Sequence, residues 1–388
     1  MNKIYNTQSD FATNISNFLL NVFPDIRKTQ IKIIPFITLG MILSESVSAS
    51  DIAKNLKDDF SLVQHESVIR RIRRFFANKL FNPEIFYEKV ITHVISNYKK
   101  KHPDRRVHIV FDHMYSKENY TILMFSLRIG KQSVPIYFKC FEGIREPEAF
   151  TDETIIDCIN KVNNLFNDKD FQLIFLADRW FNSEKVLKHI EQLGHIYCIR
   201  LKDNLKINLF DTKEGHYIHK YTCNLNGRKY KGTYYKDVKL FRSFSFTTNI
   251  VISKTNNVKN AWILATNGEV TSAIRDYSYR FGGVEPLFKN QKSNGFYLES
   301  VSNATLKSFT SMYTIVCFAT LFLTIIGADY SKNSKSYKNV KITTHKKYSN
   351  GKKIRVTSLF NTGLILFNLA YNSRKYIRVP FSFKLYDV

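Results

Sequence analysis

Two short runs limit the fold more than any other feature of the chain. VHIVFDHM begins at Val107 and FQLIFLADRW at Phe171; each is a continuous stretch of β-forming apolar residues that meets an aspartate. A strand with no polar alternation needs burial on both faces, so it belongs inside a layered α/β structure. YTILMFSLRIG and QSVPIYFKCF read as paired strands split by Gly130, Lys131 and Gln132. Helical spacing over 152–166 and 183–193, and a strand in HIYCIRLK, complete the pattern. The predicted order is strand, strand, strand, helix, strand, helix, strand, which makes a mixed sheet.

The flanks differ. Apolar residues at helical spacing over 11–22 and 31–43 make the first hundred residues an all-α region, with Pro24 and Pro35 as punctuation. A short helix capped by Ser50 or Asp51 ends near Leu56, and another covers 66–76. In the second, Arg70, Arg71, Arg73 and Arg74 interleave with Val68, Ile69, Ile72 and Phe75. The pair suits a helix-turn-helix, and it equally suits a basic amphipathic helix that touches only phosphates or acidic neighbours.

Residues 203–260 are polar and rich in Tyr and Lys, with the texture of short antiparallel strands, and AWILATN adds one more. A helix is expected through EPLFKNQKSNGF. The run MYTIVCFATLFLTIIG has sixteen residues. That is short of the ~20 needed to span a bilayer, so a buried helix near 310–326 is expected. From Tyr330 to Arg355 there are nine Lys and Arg and no acid, as in a loop or hairpin. Residues 358–371 read as a docking helix. The expected organisation is a helical region over 1–100, an α/β core over 101–330 and a basic C-terminal segment over 331–388.

Charge narrows the partners. The 388 residues carry 58 Lys and Arg against 33 Asp and Glu, a formal net charge of +25. Such an excess suits a polyanion, with nucleic acid ahead of an anionic membrane surface. The N-terminus lacks a signal-peptide pattern. Cys140, Cys158, Cys198, Cys223 and Cys317 show no CxxC spacing and read as free thiols in a reducing, cytoplasmic setting. No phosphate-binding loop of the Walker type is present, so no nucleotide cofactor is expected.

Three acids form a candidate constellation. Asp112 and Asp178 are expected at strand ends, where α/β sites form. Glu285 is expected on a helix with Lys289 and Lys292 beside it. Two Asp and a Glu are the hard oxygen ligands that Mg²⁺ or Mn²⁺ takes, and two such ions suit phosphoryl transfer. Each acid also has a plain structural reading: Asp178 as a helix cap, Glu285 as an intrahelical salt bridge.

FDHMY, LADRWF and Tyr277-x-x-Arg280…Glu285-x₆-Lys292, followed by SNGFYLES, resemble the three catalytic blocks of bacterial insertion-sequence transposases of the DDE type. The third block is similar to the Tyr-Arg-Glu-Lys signature of the hairpin-forming cut-and-paste group, and the resemblance covers about 65–330. It implies a ribonuclease-H-like core with a β-rich insertion between the second Asp and the Glu. It also implies Asp112, Asp178 and Glu285 as ligands of two metal ions. Tyr277, Arg280 and Lys292 would then hold phosphates of double-stranded DNA at the element's end, with Lys289 and the four N-terminal arginines as further contacts. A homodimer would bring two ends together.

One departure matters. Four residues, rather than the family's three, separate Arg280 from Glu285, which on an unbroken helix sets them about 140° apart. The expectation is a helix that starts near Gly283 or bulges at Gly282 and Gly283. Of the two tryptophans, Trp262 reads as core and Trp180 as a weak base-stacking candidate. His113 should face away from Asp112. Two other classes compete: a silent DNA-binding repressor that keeps the fold, and a membrane-surface protein.

Overall fold

The computed structural model describes residues 8–56, 63–98, 105–117, 119–167, 171–202, 206–208, 216–217, 232–241, 245–253, 261–293, 295–300, 304–337, 340–347, 353–355, 357–372 and 385. Cys223 and most of 203–231, the first half of the expected strand-like stretch, lie outside them.

The N-terminal region holds α1 (Gln8–Val22), α2 (Lys28–Ser44), α3 (Ala49–Lys54), α4 (His65–Phe76) and α5 (Pro83–Ser96). The expected helical spacing over 31–43 falls within α2, which continues through Pro35. Its missing N–H would have bonded the Ile31 carbonyl, and Ser16 Oγ on α1 donates to that carbonyl instead, at 3.5 Å. The helix α5 is an addition to the expected pattern. It starts on Asn82, whose side chain accepts from the Ile85 N–H, with Pro83 at the first position. The chain between α3 and α4 runs from Asn55 to Gln64. Residues 57–62 of that stretch lie outside the described residues, and the helix-turn-helix expectation falls on them.

One sheet organises the rest. Its strands are β1 (Arg106–Ser116), β2 (Tyr120–Ile129), β3 (Gln132–Glu142), β4 (Gln172–Ala177), β5 (Ile196–Arg200), β6 (Lys206–Asn208), β7 (His216–Tyr217), β8 (Gly232–Leu240), β9 (Phe246–Ser253) and β10 (Trp262–Thr266). The spatial order is β3-β2-β1-β4-β5-β10-β9-β8-β6-β7. β1, β4 and β5 are parallel, and β2 is antiparallel to both β1 and β3. Within the first five strands β2 alone runs against the others. The two parallel crossovers carry α6 (Asp152–Asn164) and α7 (Glu184–Gln192). The strand-like stretch after β5 forms no separate module: β10 pairs with β5, and β9 and β8 extend the same sheet.

A long helix, α8 (Val270–Lys292), crosses one face of this sheet from β3 to β9. Ala273, Ile274, Tyr277 and Val284 pack on Val110, Ile174, Leu176, Cys198, Val251 and Leu264. The helix is continuous, so neither a start at Gly283 nor a bulge occurs. The two glycines serve close approach instead. A Cβ on Gly283 would sit 2.6 Å from Ser133 Oγ, and one on Gly282 would sit 3.1 Å from the Lys131 carbonyl. Arg128 ties the helix down there, donating to the Tyr279 carbonyl at 2.9 Å.

The apolar run near residue 320 belongs to α9 (Leu306–Asn333), longer than the sequence pattern suggested. By length and composition it is long enough to cross a membrane, yet 94% of its most apolar window is buried inside the protein. It packs among β3, α2, α4, α5 and α10 (Leu359–Asn372). Its polar side chains turn back on their own helix: Thr314, Thr320 and Thr324 donate to the carbonyls four residues earlier. The hydroxyls are thereby satisfied without water. A short hairpin, β11 (His345–Lys347) with β12 (Lys353–Arg355), lies in the basic segment, as one of its two expected forms. One apolar core runs from Phe11 through the sheet to Leu385.

Candidate active site

Asp112 is not at a strand end. It lies inside β1, because β1 continues to pair with β2 (Asp112 opposite Met124) beyond the point where β4 stops. The β1–β4 register, with Val110 beside Leu176, carries Asp112 level with Asp178 at the end of β4. Both aspartates therefore meet at the carboxyl edge of the short parallel strand, as strand order requires for a site.

The two are held alike. Asp112 Oδ1 accepts the His113 N–H at 2.9 Å, and Asp178 Oδ1 accepts the Arg179 N–H at 2.7 Å. The second bond makes Asp178 the cap of a single 3₁₀ turn, while α7 begins separately at Ser183. Each Oδ2 faces Arg280. Arg280 Nη2 donates to Asp112 Oδ2 at 2.6 Å and lies 3.8 Å from Asp178 Oδ2. Arg280 Nη1 lies 3.9 Å from Glu285 Oε1. The three predicted acids thus converge, and a guanidinium stands between them.

Arg280 reaches them because it sits on the buried stripe of α8, three residues after Tyr277 and four before Val284. Only 8% of its side chain is exposed, whereas that of Glu285 is 56% exposed. The 140° offset is bridged by two long side chains reaching towards each other at the helix edge.

Burial pushes the Asp112 carboxyl up to about 6, against the downward pull of Arg280 and of the His113 N–H. Burial pushes His113 the other way, down to about 4. His113 faces away from the acids as predicted, stacked between Phe150 and Phe181, with Nε2 2.9 Å from the Ala149 carbonyl. The net effect of its acidic neighbours is to raise Arg280 despite its burial.

The other predicted residues stand apart from this cluster. Tyr277 is fully buried, edge-on to Trp262 and Phe281, and its hydroxyl has no hydrogen-bond partner among the described residues. Lys292 pairs with Glu299 at 3.7 Å, closing the KSNGFYLES stretch on itself. Lys289 is exposed, and the ion pair that Glu285 makes on α8 goes to Arg280. Trp262 stacks on Phe281 as a core residue, and Trp180 is 66% exposed with Lys202 over its ring. Arg70, Arg71, Arg73 and Arg74 are all exposed on α4, with Val68, Ile69, Ile72 and Phe75 buried beneath, as the spacing predicted. Arg71, Arg74 and Lys32 rim a groove of about 620 Å³ between α2 and α4, floored by Ile33, Phe36 and Phe75. No sequence signal pointed to this groove, because it needs two helices brought together.

Hard oxygen donors that already surround one positive charge suit Mg²⁺ or Mn²⁺. Among the described residues no three His, Cys, Asp or Glu side chains stand close enough to hold an ion as they are. Asp112, Asp178 and Glu285 would have to close inward by the space the guanidinium takes. The described thiols are no alternative nucleophiles: Cys140, Cys158, Cys198 and Cys317 are free, and burial raises Cys140 and Cys158 to about 12. The chain matches no family model and no curated protein.

Proposed function

We propose that the protein is a DNA transposase of the DDE type that cleaves and joins strands at the ends of its element. The observation that carries this reading is the convergence of Asp112, Asp178 and Glu285 around one cationic position at the carboxyl edge of β4. The order β3-β2-β1-β4-β5, with β2 alone reversed, supports a ribonuclease-H-like core. The strands between Asp178 and Glu285 support the β-rich insertion. The +25 charge and the exposed arginines of α4 support double-stranded DNA as partner.

In this reading Asp112, Asp178 and Glu285 would hold two divalent ions, which would supply a stronger nucleophile and stabilise the leaving oxygen. Asp112 and Asp178 are fixed by their backbone bonds, so they orient the site. Glu285, exposed on α8, closes it from the solvent side. Lys289 and the α4 arginines offer point and bidentate charges to phosphates. The protein would act as a homodimer in the bacterial cytoplasm, since two ends must be joined.

The test is cleavage of a labelled duplex bearing the element's terminal repeat, with Mg²⁺ or with EDTA. Metal-dependent nicking at the repeat end, lost in Asp178→Asn and Glu285→Gln while binding persists, is the expected result. Cleavage retained by either variant overturns the assignment. A second reading, a silent DNA-binding repressor, is favoured by one observation: Arg280 already occupies the position between the acids. It predicts repeat binding without cleavage in any metal.

A further inference from the structure

Arg280 is an unusual occupant of the stripe that α8 presents to the sheet. Its neighbours on that stripe, Tyr277, Val284 and Leu287, are buried and largely apolar. Its guanidinium is covered, yet its Nε is buried with no hydrogen-bond partner among the described residues. Tyr277, within electrostatic reach, has a buried hydroxyl in the same condition. A settled structural arginine satisfies all its donors; this one is held by a single hydrogen bond, to Asp112, with Nε left open. Of its three acidic contacts only the one to Asp112 is short.

We propose that Arg280 is an internal counter-ion that competes with divalent metal for Asp112, Asp178 and Glu285, and that a nucleic-acid phosphate draws it away. This rests on the metal-site reading above. The guanidinium lies between the carboxylates, in the space an ion bound to the same oxygens would need, and its repulsion of such an ion grows as water is excluded. The exit lies towards Glu285, the exposed member of the set. A phosphate arriving there meets a planar donor fork suited to bidentate contact, which an ammonium lacks. Metal loading and DNA binding then favour each other, and the coupling is reciprocal. Arg280 is a positioning residue in this scheme: it keeps the acids together without metal and yields them when DNA is present.

The test is Mn²⁺ binding to the full-length chain, read from the spectrum of the free ion, with and without a short duplex of mixed sequence. Wild type, Arg280→Gln, Arg280→Lys and Asp178→Asn are compared. Without duplex, Arg280→Gln is expected to bind Mn²⁺ about tenfold tighter than wild type, and Arg280→Lys to stay near wild type. Duplex should tighten wild type by a similar factor and leave Arg280→Gln unchanged. Arg280→Gln should also melt lower than wild type without metal, and Mn²⁺ should close that gap. Equal Mn²⁺ affinity in wild type and Arg280→Gln overturns the proposal, as does a wild type indifferent to duplex. If Arg280→Gln does not fold, the duplex dependence of wild type decides alone. Absence of Mn²⁺ binding in every chain, or undiminished binding in Asp178→Asn, overturns the metal-site reading itself.

Discussion

Asp112 and Asp178, on neighbouring parallel strands, each give Oδ1 to the next backbone N–H and turn Oδ2 to the same nitrogen of Arg280. The shared pattern follows from register. Parallel strands repeat the same local geometry at the same level, so two aspartates in step present the same oxygen the same way. A carboxylate bonded to its own backbone has lost most of its rotational freedom before any ligand arrives.

Asp112 and its neighbour His113 oppose each other in acid. Asp112 rises from 3.8 to about 6 on folding, so its contribution to stability is present below pH 4 and lost as pH rises through 6. His113 falls from 6.5 to about 4, so its contribution is present above pH 6.5 and lost as pH falls through 4. The two should nearly cancel between pH 4 and 6.5. Relative to wild type, Asp112→Asn should gain on the order of 1–3 kcal/mol across that window as pH rises, and His113→Phe should lose a similar amount. Urea unfolding at several pH values checks this; parallel curves for all three proteins would contradict it.

The contact between α9 and α10 admits no side chain. A Cβ on Gly327 would lie 1.9 Å from the Leu359 carbonyl oxygen, and one on Gly363 would lie 1.8 Å from that of Leu323. Because backbone cannot yield as a side-chain tip can, Gly363→Ala should cost about 3 kcal/mol or more. Gly194→Ala is a useful contrast, since space is open there but φ is +74°, so its smaller cost comes from backbone strain alone. Thermal melting of the two variants ranks them, and a Gly363→Ala protein as stable as wild type would refute the close packing.

The four exposed arginines of α4 should act through charge rather than fold. Replacing Arg70, Arg71, Arg73 and Arg74 with Gln should leave the melting temperature within a few degrees of wild type. If each meets a phosphate, the slope of log K against log salt should shrink by about 0.9 for each one lost. Filter binding across a salt series measures it, and an unchanged slope would remove α4 from the DNA interface.

Trp180 is the exposed tryptophan beside Asp178, and Trp262 packs on Phe281. DNA at the acid cluster should therefore quench Trp180 emission and leave Trp262 unaffected. The quench should vanish in Trp180→Phe. Quenching that survives this substitution would place the bound DNA elsewhere.

Much of this was legible in the sequence, and the exceptions share a cause. The β1 and β4 runs, the paired strands β2 and β3, and the arginine face of α4 follow from local apolar spacing alone. The identity of the three acids was also local. What a linear pattern does not hold is where a neighbour stops. Asp112 looked terminal because its apolar run ends there, yet pairing with β2 carries β1 on to Ser116. Pro35 read only as punctuation, and nothing local told that a hydroxyl on α1 meets the carbonyl it leaves open. Gly282 and Gly283 looked like a helix start, yet they make room for Arg128 and Ser133 of the sheet. The place of Arg280 was readable in principle. It follows Tyr277 by three residues and precedes Val284 by four, the spacing of a buried stripe, and an arginine on such a stripe needs an acid to meet.

The position of α9 has a consequence for synthesis. The helices α2, α4 and α5 leave the ribosome first, but the surface they cover is made more than two hundred residues later. Until then their apolar faces have no native cover, and the basic face of α4 is not held in its final place. A chain cut short before Leu306 is therefore expected to be sticky and incompetent rather than a working DNA-binding fragment. A partial translation product of this chain would then hold no independently folded N-terminal region.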